Sequence, residues 1–338
     1  MAGFRDTFIH RVSKGMGIIP TSFLQRMSNQ QLILPFYHAI SDEEMPHIKH
    51  LYPVKGVKAF VKDLDFILKH YTPIDYTEFK TLSETQKKSH NPSFLLSFDD
   101  GLREFHDVIA PILLQKGIPA ICFLNSNFID NKDLFYRYKS SLLIDKLEKE
   151  PHLTSKIRTL LPHSEDIPKQ ILSINYQNRD LLNELAGFME YDFNDFLANQ
   201  SPYLTSEQIN SLIKQGFHFG AHSLDHPEYQ HIELEEQIRQ TKESIQKICT
   251  DFSFDYKIFS FPFTDYNVST KFFKQLKEHN IAEYTFGCAG QKKDSVPTNF
   301  QRIPFEMAHL SGKEILNAEL LYYVLKMPFG KNRITRND

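Results

Sequence analysis

Short apolar runs punctuate the chain, and between them apolar residues return every three or four positions. Phe94-Leu95-Leu96-Ser97-Phe98 is one such run, and it passes straight into Asp99-Asp100-Gly101. A continuous run of this length reads as a strand buried on both faces, as in parallel sheets. Leu32 to Tyr37 reads as an earlier strand ending at His38, with a Pro35 that suits an edge or bulged strand. Ala120 to Leu124, Phe217 to Ala221, Lys257 to Phe263 and Tyr284 to Cys288 repeat the strand pattern. Helical spacing lies between them: Phe60, Leu64, Ile67 and Tyr71; Val108, Ile109, Ile112 and Leu113; Leu234, Ile238, Ile245 and Ile248; Phe272, Phe273 and Leu276. Gly117 and Pro119 stop the second of these helices, and Thr205 with Gln208 and Ser311 with Glu314 stand in capping-box register.

Strand, helix and strand within about 35 residues make a βαβ unit, which requires a parallel sheet. Its repetition predicts an α/β fold, a distorted (β/α) barrel more than an open sheet, although pattern alone does not separate the two. Residues 131–204 break the rhythm. They are charged, carry Pro151, Pro162, Pro168 and Pro202, and hold two or three helical patterns without a strand. The expected organisation is a helical arm over 1–31, a barrel over 32–310 interrupted by a helical insertion over 131–204, and a C-terminal helix and basic tail over 311–338.

Lys and Arg number 39 against 42 Asp and Glu, a net charge of −3. That balance offers no electrostatic case for nucleic acid as a partner. Cys122, Cys249 and Cys288 lie far apart, so neither a disulfide framework nor a zinc ribbon is expected. No segment approaches the roughly 20 apolar residues of a membrane span. The N-terminus lacks the apolar core of a signal peptide, from which a cytoplasmic location is expected.

The candidate chemistry gathers at strand ends, where α/β enzymes keep their sites. Asp99 and Asp100 end one strand, and their side chains diverge because neighbours in an extended chain alternate. His222-Ser223-Leu224-Asp225-His226-Pro227 follows another strand. With 15 histidines in the chain, a pair four apart is ordinary, and His218–His222 is a second. Pro227 biases His226 toward an extended conformation, so the pair sits on a loop that can turn both rings to one point. Two imidazoles with one of the two aspartates would supply two nitrogens and one oxygen and leave a position for water, the ligand set of a catalytic zinc. The second aspartate is then available as a base. Ser260-Phe261-Pro262-Phe263 reads as a strand end that could present the Phe263 N–H as an oxyanion donor.

Together these stretches resemble the polysaccharide deacetylases of carbohydrate esterase family 4, the chitooligosaccharide deacetylase (NodB) homology domain. Ser97 to Gly101 stands for the family's Thr/Ser-Phe-Asp-Asp-Gly motif, and His222 to His226 for its His-Ser/Thr-x-x-His motif, in the same order. Tyr37-His38 and Pro119 to Leu124 extend the similarity over about residues 32–130 and 203–305. The resemblance implies a TIM-like distorted (β/α) barrel, seven-stranded, with a divalent metal on Asp100, His222 and His226. Zinc is the usual ion, with Co²⁺, Ni²⁺ or Mn²⁺ as alternatives. Asp99 would be the general base for the hydrolytic water, and the Phe263 N–H would help hold the oxyanion. The family's Arg-Pro-Pro-Tyr motif is replaced by Ser260 to Phe263, which removes an arginine beside the base; Arg302 could replace it from another strand end. The Leu-x-His motif that carries a general acid has no clean match, and His309 and His38 are the candidates. There is no Trp for the family's Trp motif.

The implied reaction is hydrolysis of an N-acetyl group on an amino sugar, in a glycan or a glycolipid precursor. An O-acetyl esterase, a deformylase and a glycan-binding barrel without turnover stand as alternatives. The Tyr322, Tyr323, Phe329, Lys331, Arg333 and Arg336 tail is a candidate for peripheral membrane contact, against a solvated, frayed end.

Overall fold

A computed structural model describes residues 4–85, 91–161, 166–307 and 310–338. Its main sheet consists of β1 (Pro35–Tyr37), β2 (Leu96–Phe98), β3 (Ala120–Leu124), β4 (His218–Ala221), β5 (Ile258–Ser260), β6 (Tyr284–Gly287), β7 (Asn299–Gln301) and β8 (Ile303–Pro304). The order is β7-β6-β5-β4-β3-β2-β1-β8, with every pair parallel. Only Arg302 separates β7 from β8. Successive residues of an extended chain turn their amides to opposite sides, and this run uses both. Arg302 N–H donates to Gly287 on β6 at 3.1 Å, and Ile303 N–H donates to Leu34 beside β1 at 2.8 Å. The sheet therefore closes on itself as a barrel whose seventh stave is β7 and β8 together.

Inward residues split the barrel into two zones. Leu34, Leu95, Ile121, Phe123, Ile258 and Phe286 form an apolar lower layer. The helix Tyr76–Thr85 plugs that end, with Phe79 against Tyr284, Phe286 and Phe300. Outward residues such as Leu96, Phe98, Cys122, Leu124, Phe219 and Phe259 pack on the surrounding helices.

Both leading strands are shorter than their apolar runs. Ser93–Phe94 pairs with Leu32–Ile33 and Thr72–Pro73 in a small separate ladder, and the runs break at Leu95 and Leu34, whose side chains turn into the lower layer. Pro35 is thus not on an edge. It opens β1 inside the closed barrel, a first position where a missing N–H removes no ladder bond. The Lys257–Phe263 run is a strand only over Ile258–Ser260.

The insertion has five helices among the described residues: Tyr136–Lys149, Leu153–Ile157, Ile167–Ser173, Asp180–Phe188 and Phe193–Gln200. Two or three were expected; the shortest of them are too brief to carry a periodic signal. They enclose their own core, which also takes in Ala39, Met45 and Ile48 from the loop after β1. Both expected capping boxes form, at Thr205/Gln208 and Ser311/Glu314.

The N-terminal helices Phe4–Met16 and Thr21–Ser28 lie on the helix Gly312–Lys326. The tail beyond is not a frayed end. Arg336 is buried, ion-paired with Asp265 and Asp294, and donates to the Asp265 and Val268 carbonyls at 2.9 and 3.2 Å. Tyr322 and Tyr323 are buried as well, while Phe329 is exposed. A buried cation held by two carboxylates and two carbonyls cannot reach a lipid surface, so Arg336 drops out of any membrane contact. Among the described residues no helix is long and apolar enough to cross a membrane.

Gly220 on β4 is where the barrel wall is tightest. A Cβ there would lie 2.6 Å from the Phe123 ring and 2.7 Å from Ile258. Gly220→Ala should destabilise the fold by about 1–3 kcal/mol through overpacking, seen as a lower urea midpoint with an unchanged denaturant slope.

Candidate metal and hydrolytic site

Above the apolar layer the barrel interior turns polar. Ser97 on β2 and Ser260 on β5 face Arg302, which enters from between β7 and β8. Arg302 makes a two-pronged contact with Asp99, Nη1 to Oδ1 at 2.8 Å and Nη2 to Oδ2 at 2.7 Å. Its Nη1 also donates to Ser97 Oγ at 3.1 Å, Nη2 to Ser260 Oγ at 2.5 Å and Nε to the Gly287 carbonyl at 3.3 Å. The guanidinium lies over the rings of Phe36 and Phe123, 4.2 and 5.3 Å from their centroids. Burial by itself would raise the Asp99 carboxyl, but the Arg302 guanidinium holds it below its ordinary range.

Asp99 continues the direction of β2, but Asp100 does not. Its φ is +74°, followed by +65° at Gly101, so two left-handed residues fold the chain back at the strand end. The positive φ favours glycine at position 101, and a Cβ there would also press on Leu124 Cδ2 at 2.7 Å. This turn aims the Asp100 carboxylate at the loop after β4. That loop carries two more left-handed residues, Ser223 at +72° and His226 at +62°, so His226 does not take the extended conformation expected before Pro227. Strain of this kind, of order 1–3 kcal/mol per residue, persists where surrounding structure imposes it.

Asp100 Oδ1 lies 3.5 Å from His222 Nε2 and 3.2 Å from His226 Nε2. All three residues are buried, and their ligating atoms fall within 4.8 Å of one another. His222 Nδ1 is 2.8 Å from the Ser260 carbonyl, which can only accept, so Nδ1 carries the proton. Burial pushes the His222 ring down to about 4, despite the neighbouring Asp99, so it is neutral and its Nε2 presents a lone pair. Asp100 Oδ1 has no donor among the described residues. Lone pairs on buried nitrogen and oxygen thus face each other, an arrangement that a cation relieves and water-free protein does not. With metal–ligand bonds of about 2.0–2.2 Å, the edge of a coordination tetrahedron is about 3.3–3.6 Å, close to both spacings. The donor set fits a divalent metal.

Phe263 is left-handed too, with φ +55°, and its ring stands 4.7 Å from that of His226. No hydrogen bond takes up its N–H among the described residues. His38, partly open to the site, receives Glu306 twice: its N–H donates to Oε1 at 2.8 Å, and its Nδ1 is 2.7 Å from Oε2. Burial would lower this ring, but Glu306 raises it to about 9. His38, Asp99, Asp100, His226, Phe263 and Arg302 line one cavity of about 450 Å³ together with Phe36, Tyr52, Phe135 and Arg137. Seven of the eight residues singled out from the sequence therefore meet at one mouth, His222 through its contacts with Asp99 and Asp100. His309 lies outside the described residues.

Four contributors escaped the sequence reading. Ser97 precedes Asp99 by two on the same strand, and period-two alternation would have placed it on the same inner face. Ser260 opens the stretch that replaces the Arg-Pro-Pro-Tyr motif, where nothing marks it as a partner of Arg302, and Glu306 follows a strand end without a motif. Tyr138, on an insertion helix, donates to Asp100 Oδ2 at 3.0 Å, and nothing local in the chain marks it.

Arg302→Met should strand Asp99 as an unpaired buried charge and lower the unfolding free energy by about 3–5 kcal/mol. Adding Asp99→Asn should lose less than the sum of the single changes. A urea double-mutant cycle checks both.

The polysaccharide deacetylase sequence profile matches residues 86–284, more than half of the chain. Among solved structures, Streptococcus pyogenes deacetylase PplD superposes with a TM-score of 0.56 at 12% identity, covering 85% of this chain and 97% of that one. IcaB from Ammonifex degensii gives 0.54 at 11%, covering 86% and 97%. A de-N-acetylase from Aggregatibacter actinomycetemcomitans gives 0.50 at 13%, covering 82% and 96%. At such identities these three speak for the barrel fold alone. No curated protein sequence matches. The profile match and the closed parallel barrel lead to one conclusion: the chain belongs to the polysaccharide deacetylase family, hydrolases that remove N-acetyl groups from sugar polymers.

Proposed function

We propose that this chain hydrolyses the N-acetyl group of an amino sugar in a glycan or glycolipid precursor, with Asp100, His222 and His226 holding the metal. The observation that carries the reading is the lone-pair cluster of Asp100 Oδ1 and His222 Nε2, set beside a second carboxylate and a cavity. A bound divalent ion would polarise the amide carbonyl and lower the pKa of water. Asp99 then takes the proton from the attacking water. Arg302 uses one lone pair on each Asp99 oxygen; Ser260 Oγ also reaches Oδ2 at 3.5 Å, and Oδ1 keeps its second lone pair. As the new C–O bond forms, negative charge grows on the carbonyl oxygen, and the Phe263 N–H donates to it. His38, with Nδ1 held by Glu306, gives its Nε2 proton to the departing nitrogen as the C–N bond breaks. Free amine and acetate result.

The cavity volume lies within the usual range for small-ligand sites, about 300–1,000 Å³. Its aromatic lining suits the C–H face of a sugar and an acetyl methyl. A structure described as PplD in complex with acetate is consistent with the product proposed here.

Zinc is the ion proposed first, because two imidazoles and one carboxylate form its common catalytic set. Asp99→Asn should lower kcat/KM by roughly 10²–10⁴-fold while leaving metal content unchanged. Chelation should abolish turnover, and added Zn²⁺ or Co²⁺ should restore it. Release of free amine from an N-acetylated amino sugar supports the amidase. Release of hydroxyl from an O-acetylated sugar, with no amine formed, would establish the esterase instead.

The acid has a pH signature. His38 must be protonated to act, so activity should fall as pH rises through its pKa of about 9. Removing the carboxylate in Glu306→Gln lowers that pKa, and the basic limb of the pH–kcat profile should move to lower pH. An unmoved limb would remove His38 from the acid role and return it to His309.

A further inference from the structure

We propose that Tyr138, supplied by the insertion, is a positioning residue for the metal: it holds Asp100 Oδ2 so that Oδ1 alone faces the ion. The inference rests on the reading of Asp100, His222 and His226 as the metal ligands.

The two oxygens of Asp100 have different surroundings. Oδ2 accepts from the Tyr138 hydroxyl at 3.0 Å. Among the described residues no hydrogen bond is made to Oδ1, which faces both imidazole Nε2 atoms. A carboxylate oxygen can only accept, so at this distance the Tyr138 hydroxyl is the donor. A carboxylate can ligate through one oxygen or both. Occupation of Oδ2 by a hydroxyl selects the first mode and leaves a coordination position for water or substrate.

Tyr138 is itself held rigidly. Its ring stacks on Tyr203 with an interplanar angle of 21° and meets His47 and Phe135 edge-on, both at 5.0 Å. Phe135, three residues before it, lies 4.3 Å from the His226 ring. The start of one insertion helix thus touches two of the three ligands. Elsewhere the insertion grips the histidine loop, with Tyr176 donating to Asp225 at 2.8 Å and Arg137 paired with Glu228 at 3.0 Å.

The experiment compares Co²⁺ binding to the full chain, its Tyr138→Phe variant and its Asp100→Asn variant, by competition with a chelator and by visible absorption. Tyr138→Phe keeps the ring and its packing. We expect its Co²⁺ affinity to fall roughly 10–100-fold, and its visible band to weaken as the released Oδ2 joins the ion and raises the coordination number. An affinity within about twofold of the parent, or an unchanged band, would overturn the role of Tyr138. Loss of binding in Asp100→Asn keeps that result separate from the ligand assignment. Should Asp100→Asn bind Co²⁺ as the parent does, the ligand assignment itself fails, and this inference with it.

Discussion

The buried pair of Arg302 and Asp99 is the constraint on which the rest of the site depends. Arg302 sits in the one-residue gap between β7 and β8, where the chain passes from pairing with β6 to pairing with β1. Closure of the barrel therefore places a guanidinium at the centre of its interior. An ion of that size can be buried only if its donors are used, and five hydrogen bonds to Asp99, Ser97, Ser260 and Gly287 use them. The pair fixes the rotamer of Asp99 and keeps it ionised in a place where burial alone would neutralise it. It also fixes the neighbourhood of Ser260, whose carbonyl sets the tautomer of His222.

Two chemical environments follow from two adjacent carboxylates. Asp99 extends along its strand into a fixed cation, while Asp100 turns out through a left-handed backbone toward two imidazoles. Sequence neighbours share a strand end and yet differ in partner, and the proposed division into base and metal ligand rests on that difference.

The insertion is part of the site wall. Its own apolar core lets it fold as a stiff unit against the loop after β1, and from there Phe135, Arg137 and Leu172 reach the cavity. A helix in this position orients side chains more firmly than a loop would.

Much of this was legible in the chain. The apolar runs and helical intervals announced a parallel α/β barrel, because the two periodicities are local properties of backbone geometry. Asp99, Asp100, His222 and His226 stood out because motifs at strand ends survive as contiguous residues. Pairings across the barrel were not legible to the same degree. Arg302 could be offered as a partner for Asp99, but its two-pronged geometry, its two serine contacts and its place at the closure arise only when strands 200 residues apart become neighbours. Glu306 beside His38, and Tyr138 on Asp100, left no trace in the order of residues. The docking of Arg336 against Asp265 and Asp294 was misread as a loose basic tail for the same reason. Local spacing determined which elements form and which residues end them. Burial and partner choice, which set charge, tautomer and direction at each side chain, were decided by the closed barrel and the helices folded over its mouth.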